Sequence, residues 1–170
     1  MTTSIIANPA NNLRGALKQA GFNARKVSVR QQHSTLYVTI RDASVSLTRV
    51  TEIAGAFESV RRDHATGEIL CGGNTFVRVE YADALVDPIK AEILAVLDPA
   101  PNDEYIALPG GFRACKVSSQ HGATAYVREV RMEGPTFHDR NNIAAGVSWA
   151  AERLAVARLD ASALAQGAAS

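Results

Sequence analysis

Two adjacent acid–histidine pairs, Asp63-His64 and His138-Asp139, are the residues of this chain whose types could support catalysis or metal binding. Such pairs occur in metal-dependent hydrolases, but that chemistry needs further ligands, and the chain has only 4 histidines. Cys71 could act as a nucleophile beside His64, although only composition favours that pairing. The sequence therefore predicts a protein that is not an enzyme and has no metal site and no cofactor.

The glycine-rich segment 66–74 could be mistaken for a phosphate-binding loop. It lacks a Gly-Lys-Ser or Gly-Lys-Thr ending, and a strand pattern rather than a helix follows it. A long hairpin connection, in which glycines adopt positive φ, explains the segment better.

An internal repeat is the clearest feature of the organisation. Residues 21–28 read GFNARKVS and residues 111–118 read GFRACKVS, so that six of the eight positions are identical. Similarity at a long period predicts two copies of one unit, a hairpin followed by a helix. A chance resemblance between two short strand patterns is the alternative.

Hydrophobic spacing and turn residues predict the elements that would position these groups. Helices are expected at about 9–20, 46–57, 87–97 and 141–159, the last capped by Asn141 or Asn142. Strands are expected at about 26–31, 35–41, 60–64, 75–81, 104–108, 112–118 and 124–131. We expect an α+β fold, with antiparallel sheet and helices packed on one face of it. The proline-rich segment 98–103 is the predicted linker between an N-terminal unit (1–97) and a C-terminal unit (104–170).

Charge excludes two classes of protein. The net charge is +1, and residues 1–82 carry ten basic against six acidic residues (+4), whereas residues 83–170 carry eight against eleven (−3). This balance fits neither a strongly acidic DNA mimic nor a generally polybasic nucleic-acid binder, but it allows a basic face in the first half. We see no secretory signal and no bilayer-spanning stretch, and two cysteines suit a reducing compartment. A cytoplasmic protein without a membrane partner is expected.

Strand alternation predicts one surface with binding potential. If the valines, leucine and isoleucine of three strands face the helices, the opposite face carries Lys26, Ser28, Arg30, Tyr37, Thr39, Arg41, Phe76, Arg78 and Glu80. The candidate binding residues among them are Lys26, Arg30, Tyr37, Arg41, Phe76 and Arg78. Cations beside aromatic rings suit single-stranded nucleic acid or docking onto a protein, and a solvated sheet face without a partner is the alternative.

The second copy offers a weaker version of this surface. It keeps Lys116, Ser118 and Tyr126 and adds Arg128. Its last strand alternates less cleanly, because Glu129 is expected to point inward.

Residues 10–82 also resemble a large polyvalent protein-associated domain, a small α+β module of phage and conjugative elements. The similarity lies in ARKVSVR at 24–30, VTI at 38–40, and above all in TGEILCGGN at 66–74 with the strand FVRVEY at 76–81. The family has no established catalytic residues. The resemblance implies an accessory protein of a phage or plasmid that binds and inhibits a bacterial host defence complex, of the anti-CRISPR or anti-restriction type. A nucleic-acid-binding module that uses the basic and aromatic sheet face is the alternative.

Overall fold

The computed structural model describes residues 8–121, 124–137 and 143–168. These residues form four helices and two sheets of three and four strands, which confirms the α+β fold. The chain divides into two compact units between Ala82 and Asp83. That boundary precedes the predicted linker, and the third helix therefore belongs to the second unit and not to the first.

The first unit contains two helices and a three-stranded sheet. Its elements are α1 (Pro9–Gln19), β1 (Val27–Gln32), β2 (Thr35–Ile40), α2 (Leu47–Gly55) and β3 (Phe76–Tyr81). The strand order is β1-β2-β3, and β1 and β2 form the predicted antiparallel hairpin. β3 pairs with β2 in the parallel direction, so this sheet is mixed and not fully antiparallel as expected.

Local signals start and stop the helices of the first unit. The Asn8 side chain accepts a hydrogen bond from the Ala10 N–H at 3.0 Å, and Pro9 occupies the first helical turn. Gly21 follows α1 with a φ of +90°, a conformation that glycine adopts without strain. Ser46 caps α2 by accepting from the Arg49 N–H at 3.2 Å.

The core of the first unit lies on one side of its sheet. The buried side chains are Val27 and Val29 of β1, Leu36, Val38 and Ile40 of β2, Leu13 and Leu17 of α1, and Val50 and Ala54 of α2. Because successive strand residues point to opposite faces, this pattern places both helices on the same face. The prediction of helices on one side of this sheet is confirmed.

The second unit contains an antiparallel meander and two helices. Its elements are α3 (Asp83–Leu97), β4 (Tyr105–Leu108), β5 (Phe112–His121), β6 (Thr124–Glu133), β7 (Ile143–Ala144) and α4 (Val147–Ala168). The four strands pair in sequence order. α4 packs against both the sheet and α3, and alanines at 150, 151, 155, 157 and 163 are buried along it.

Both helices of this unit differ from their predicted limits. α3 begins at Asp83, so Pro88 lies inside the helix and does not open it. The predicted caps Asn141 and Asn142 lie outside the described residues, and α4 begins at Val147. Ile143, predicted to face inward from this helix, is an exposed residue of β7.

Candidate binding surface on the first sheet

The three strands of the first unit bring the six predicted binding residues to one sheet face. Arg30 of β1 lies opposite Tyr37 of β2, and Tyr37 lies beside Arg78 of β3. We call these six residues, Lys26, Arg30, Tyr37, Arg41, Phe76 and Arg78, the basic–aromatic face. The buried valines and isoleucine alternate with them, so this face is the one that the helices leave uncovered.

The centre of the basic–aromatic face is a contact between a cation and a ring. The guanidinium carbon of Arg30 lies 5.9 Å from the centroid of the Tyr37 ring. A cation at this distance is attracted by the negative face of the ring, which orders two side chains that would otherwise move independently. The contact follows from the hairpin register, because Arg30 and Tyr37 are direct cross-strand partners.

The four cations of this face differ in how far carboxylates neutralise them. The Lys26 ammonium lies 3.5 Å from an Asp42 oxygen, and the Arg78 Nε lies 3.0 Å from a Glu80 oxygen. Within the described residues, Arg30 and Arg41 form no ion pair, and both are exposed. The surface thus presents two uncompensated positive charges on neighbouring strands.

The edge of the face near Lys26 is fixed by backbone and side-chain bonds. The Arg41 N–H donates to the Lys26 carbonyl at 2.7 Å, which extends the hairpin by one pair. The pKa of Asp42 is lowered, first by the hydrogen bonds from the Ser44 hydroxyl and N–H and then by Lys26. Lys26 is therefore held beside an ionised carboxylate, so it contributes less to the positive potential than Arg30 and Arg41.

A long irregular hairpin, residues 59–75, leads into Phe76, and we call it the arm. Ser59 and Thr75 exchange backbone hydrogen bonds of 2.9 and 2.7 Å, and Arg62 forms a bridge with Ile69. These bridges are isolated, so the prediction of a strand at about 60–64 is wrong. Gly67, Gly72 and Gly73 have positive φ, which confirms that the glycine-rich segment turns within a hairpin. Ile69 and Leu70, which are adjacent in sequence, are 47% and 38% exposed near its middle.

Of the acid–histidine and cysteine candidates, the structure describes Asp63, His64, Cys71 and Cys115. The Asp63 carboxylate accepts from the Ala65 and Thr66 N–H groups at 2.8 and 2.9 Å, bonds that lower its pKa and form the tip of the arm. Cys71 is exposed, whereas Cys115 is buried and its pKa is raised by that burial. His138 and Asp139 lie outside the described residues. In the described part of the chain no three His, Cys, Asp or Glu side chains form a metal-binding group.

The second unit does not duplicate the basic–aromatic face. Lys116, predicted to lie on the outer face, points into the core, and its ammonium donates to the Asp98 carbonyl at 2.6 Å. Glu129, predicted to point inward, lies on the outer face, where it contacts Arg131 at 3.1 Å and Arg128 at 3.3 Å. Both expectations are wrong because β5 and β6 turn toward the core the residues that the repeat would place on the outer face.

An arginine–tyrosine stack on the second sheet was missed by the sequence analysis. The Arg113 guanidinium lies 4.9 Å from the centroid of the Tyr105 ring. Arg113 is also 3.6 Å from a Glu133 oxygen, so its charge is paired. Only the β4–β5 register brings these residues near one another, and no local pattern indicates it.

No family model, curated protein or solved structure matches this chain. No helix within the described ranges is both long and apolar enough to cross a bilayer. The geometry of the basic–aromatic face is therefore the main basis for a functional proposal.

Proposed function

We propose that the protein is a non-catalytic binding protein that holds single-stranded nucleic acid on the basic–aromatic face. The observation that carries this proposal is the Arg30–Tyr37 stack on a face where no described carboxylate forms an ion pair with Arg30 or Arg41. Proteins that bind single strands combine a positive surface for phosphates with aromatic side chains on which bases stack. The basic–aromatic face has both cations and aromatic rings on neighbouring strands of one sheet.

Each side chain has a distinct role in this proposal. Arg30 and Arg41 contact phosphate oxygens, since their guanidinium groups are exposed and form no ion pair within the described residues. Tyr37 and Phe76 offer ring faces to bases, and the Thr35–Phe76 pairing places Phe76 one step along the sheet from Tyr37. Stacking does not depend on base identity, so we expect weak sequence preference and strong salt dependence.

The test is fluorescence anisotropy with a labelled strand of about 16 nucleotides, a length that covers a typical single-strand site. The comparison is between wild type, Arg30→Ala with Arg41→Ala, and a control that removes the same charge from the second sheet, Arg113→Ala with Arg131→Ala. We expect the first double variant to lose most affinity at low salt, whereas the control retains it because its arginines are already paired.

The salt dependence gives a second readout. Each phosphate contact to a single strand contributes a slope of about −0.7, so losing two contacts should reduce the slope by about 1.4. Equal losses in the two double variants would show that only net charge matters. Absence of binding by the wild type at low salt would end the nucleic-acid proposal.

A second candidate function is inhibition of a bacterial defence complex in the host cytoplasm by a phage or plasmid accessory protein. The resemblance to large polyvalent protein-associated domains supports this context, and the exposed Ile69 and Leu70 of the arm support a protein partner. Apolar side chains that protrude from a surface are common anchors of protein interfaces.

Phage plaquing on hosts with active CRISPR or restriction systems tests this second candidate. We expect the wild type to restore plaquing, Ile69→Ser with Leu70→Ser to fail, and Arg30→Ala with Arg41→Ala to remain active. Unchanged immunity across several defence systems would contradict it.

A further inference from the structure

A cavity of about 300 Å³ lies between the end of α1 and the start of β1. Its lining residues are Arg14, Leu17, Lys18, Phe22, Asn23, Ala24, Val27 and Val29. Val27 and Val29 face the helices, so the cavity lies on the opposite side of the sheet from the basic–aromatic face. Small-molecule sites are concave, mostly apolar and supplied with a few polar groups, and this cavity has that character.

The polar groups of the cavity are two cations from α1. Arg14 and Lys18 are four residues apart, which places them on the same side of the helix. Arg14 donates to the Val29 carbonyl at 2.6 Å and to the Asn11 side chain at 2.7 Å, so its position is fixed while further N–H donors remain. The Lys18 ammonium forms no ion pair or hydrogen bond within the described residues, and no carboxylate is among the described residues that line the cavity.

We propose that this cavity binds a small amphipathic carboxylate. The apolar body lies against Phe22 and Ala24, and the carboxylate is held by Lys18 and by the free donors of Arg14. At about 30 Å³ for each water-sized group, the cavity holds roughly ten non-hydrogen atoms, which corresponds to a carboxylate with an eight-carbon chain. None of the cavity residues belongs to the basic–aromatic face, so this inference does not depend on the proposed nucleic-acid binding.

The experiment titrates the full chain with octanoate and follows amide resonances by NMR, with 1-octanol as the uncharged probe of the same length. We expect saturable shifts at concentrations up to about 5 mM, since small ligands gain limited free energy per atom. The shifts should cluster on α1, on residues 22–24 and on the start of β1. 1-Octanol should bind about tenfold more weakly, because it lacks the charge-assisted bonds.

Three variants separate recognition from non-specific partitioning. Lys18→Gln should weaken octanoate binding about tenfold and leave 1-octanol binding unchanged. Ala24→Phe should fill the cavity and abolish the binding of both probes, and its exposed position allows the fold to survive. Arg25→Gln is the matched control, because it removes one charge from the nearby connection between α1 and β1 without lining the cavity.

Several results would overturn the proposal. These are equal affinity for octanoate and 1-octanol, equal losses in Lys18→Gln and Arg25→Gln, shifts outside the cavity residues, or no saturable shift at all. Because the spectrum of each variant also reports whether it is folded, a loss of binding can be assigned to the cavity and not to unfolding.

Discussion

Lys26 and Lys116 occupy the same place in the two copies of the repeated segment, yet they lie in opposite environments. Lys26 is on the uncovered face of the first sheet and pairs with Asp42. Lys116 is 7% exposed, faces the core, and binds the Asp98 carbonyl just beyond the end of α3. The same residue type therefore lies on the uncovered basic–aromatic face in one unit and makes a buried structural bond in the other.

The first cause of this difference is the position that Asn23 occupies in the first copy and Arg113 in the second, one of the two positions at which the copies differ. In the first copy the Asn23 side chain accepts from the Arg25 and Lys26 N–H groups at 3.0 and 3.2 Å, which forms a turn and delays β1 until Val27. In the second copy Arg113 occupies this position and lies within β5, opposite Glu133. Asparagine favours such local turns through its short side chain, and arginine does not.

The second cause is the anchor of β5. Phe112 begins this strand as a buried residue in contact with the Phe137 ring at 5.7 Å. It packs so closely on Gly134 that a Cβ there would lie 2.0 Å from the ring. An inward Phe112 fixes Ala114 and Lys116 inward and turns Val117 outward, since a shift of one residue exchanges the two faces of a strand.

The largest expected effect is a difference in the free energy of unfolding between variants of the two lysines. Lys116→Ala should lower the free energy of unfolding by about 1–3 kcal/mol, because it removes a buried donor and leaves the Asp98 carbonyl without that bond. Lys26→Ala should change it by about 0.5 kcal/mol or less, since its ion pair is exposed.

Urea unfolding followed by circular dichroism measures both variants, and the fluorescence of Trp149, which lies in α4, reports the second unit. Similar losses in the two variants would contradict the opposite placement of the lysines. A larger loss of stability in Lys26→Ala than in Lys116→Ala would contradict this placement more strongly.

A smaller effect is expected at the substituted position of the repeat. Asn23→Ala should cost about 1 kcal/mol in the free energy of unfolding, as for other side chains that accept from backbone N–H groups in caps and turns. Arg113→Ala should cost about 0.5 kcal/mol, because its ion pair and ring contact are exposed. Hydrogen exchange at the Arg25 amide is the direct measurement, and it should accelerate only in Asn23→Ala, whereas the Lys26 amide keeps its bond to the Asn23 carbonyl at 3.0 Å. Unchanged exchange at the Arg25 amide would show that the turn does not depend on this side chain.

The sequence predicted the elements that local signals determine. Alternation in β1 and β2, with a short polar stretch between them, was enough to assign the buried and uncovered faces correctly. Alternation could not show that β3 runs parallel to β2, because side chains alternate between the two faces in parallel and antiparallel strands alike. It also failed for Lys116, since the phase of β5 depends on the packing of Phe112 against Gly134, a contact between residues distant in sequence. The proline-rich segment looked like a linker, but Asp103 within it binds β5.

The smallest effect concerns pH and that same aspartate. Asp103 accepts bonds from the Ser118 hydroxyl and N–H at the irregularity of β5, and these bonds, the hydroxyl first, lower its pKa from the ordinary value of 3.8. Because the folded-state pKa is lower than the unfolded one, the carboxylate stabilises the fold above pH 3.8 and loses that contribution as pH falls through the lower, folded-state value. Wild type should therefore exceed Asp103→Asn in stability near neutral pH, and the difference should vanish in acid.

Ser118→Ala should move the Asp103 pKa back toward 3.8 when the carboxyl carbon is titrated by NMR, whereas Ser28→Ala, at the matching position of the first copy, should leave it unchanged. An unshifted Asp103 pKa in the wild type would mean that this carboxylate does not hold the irregularity of β5 in place.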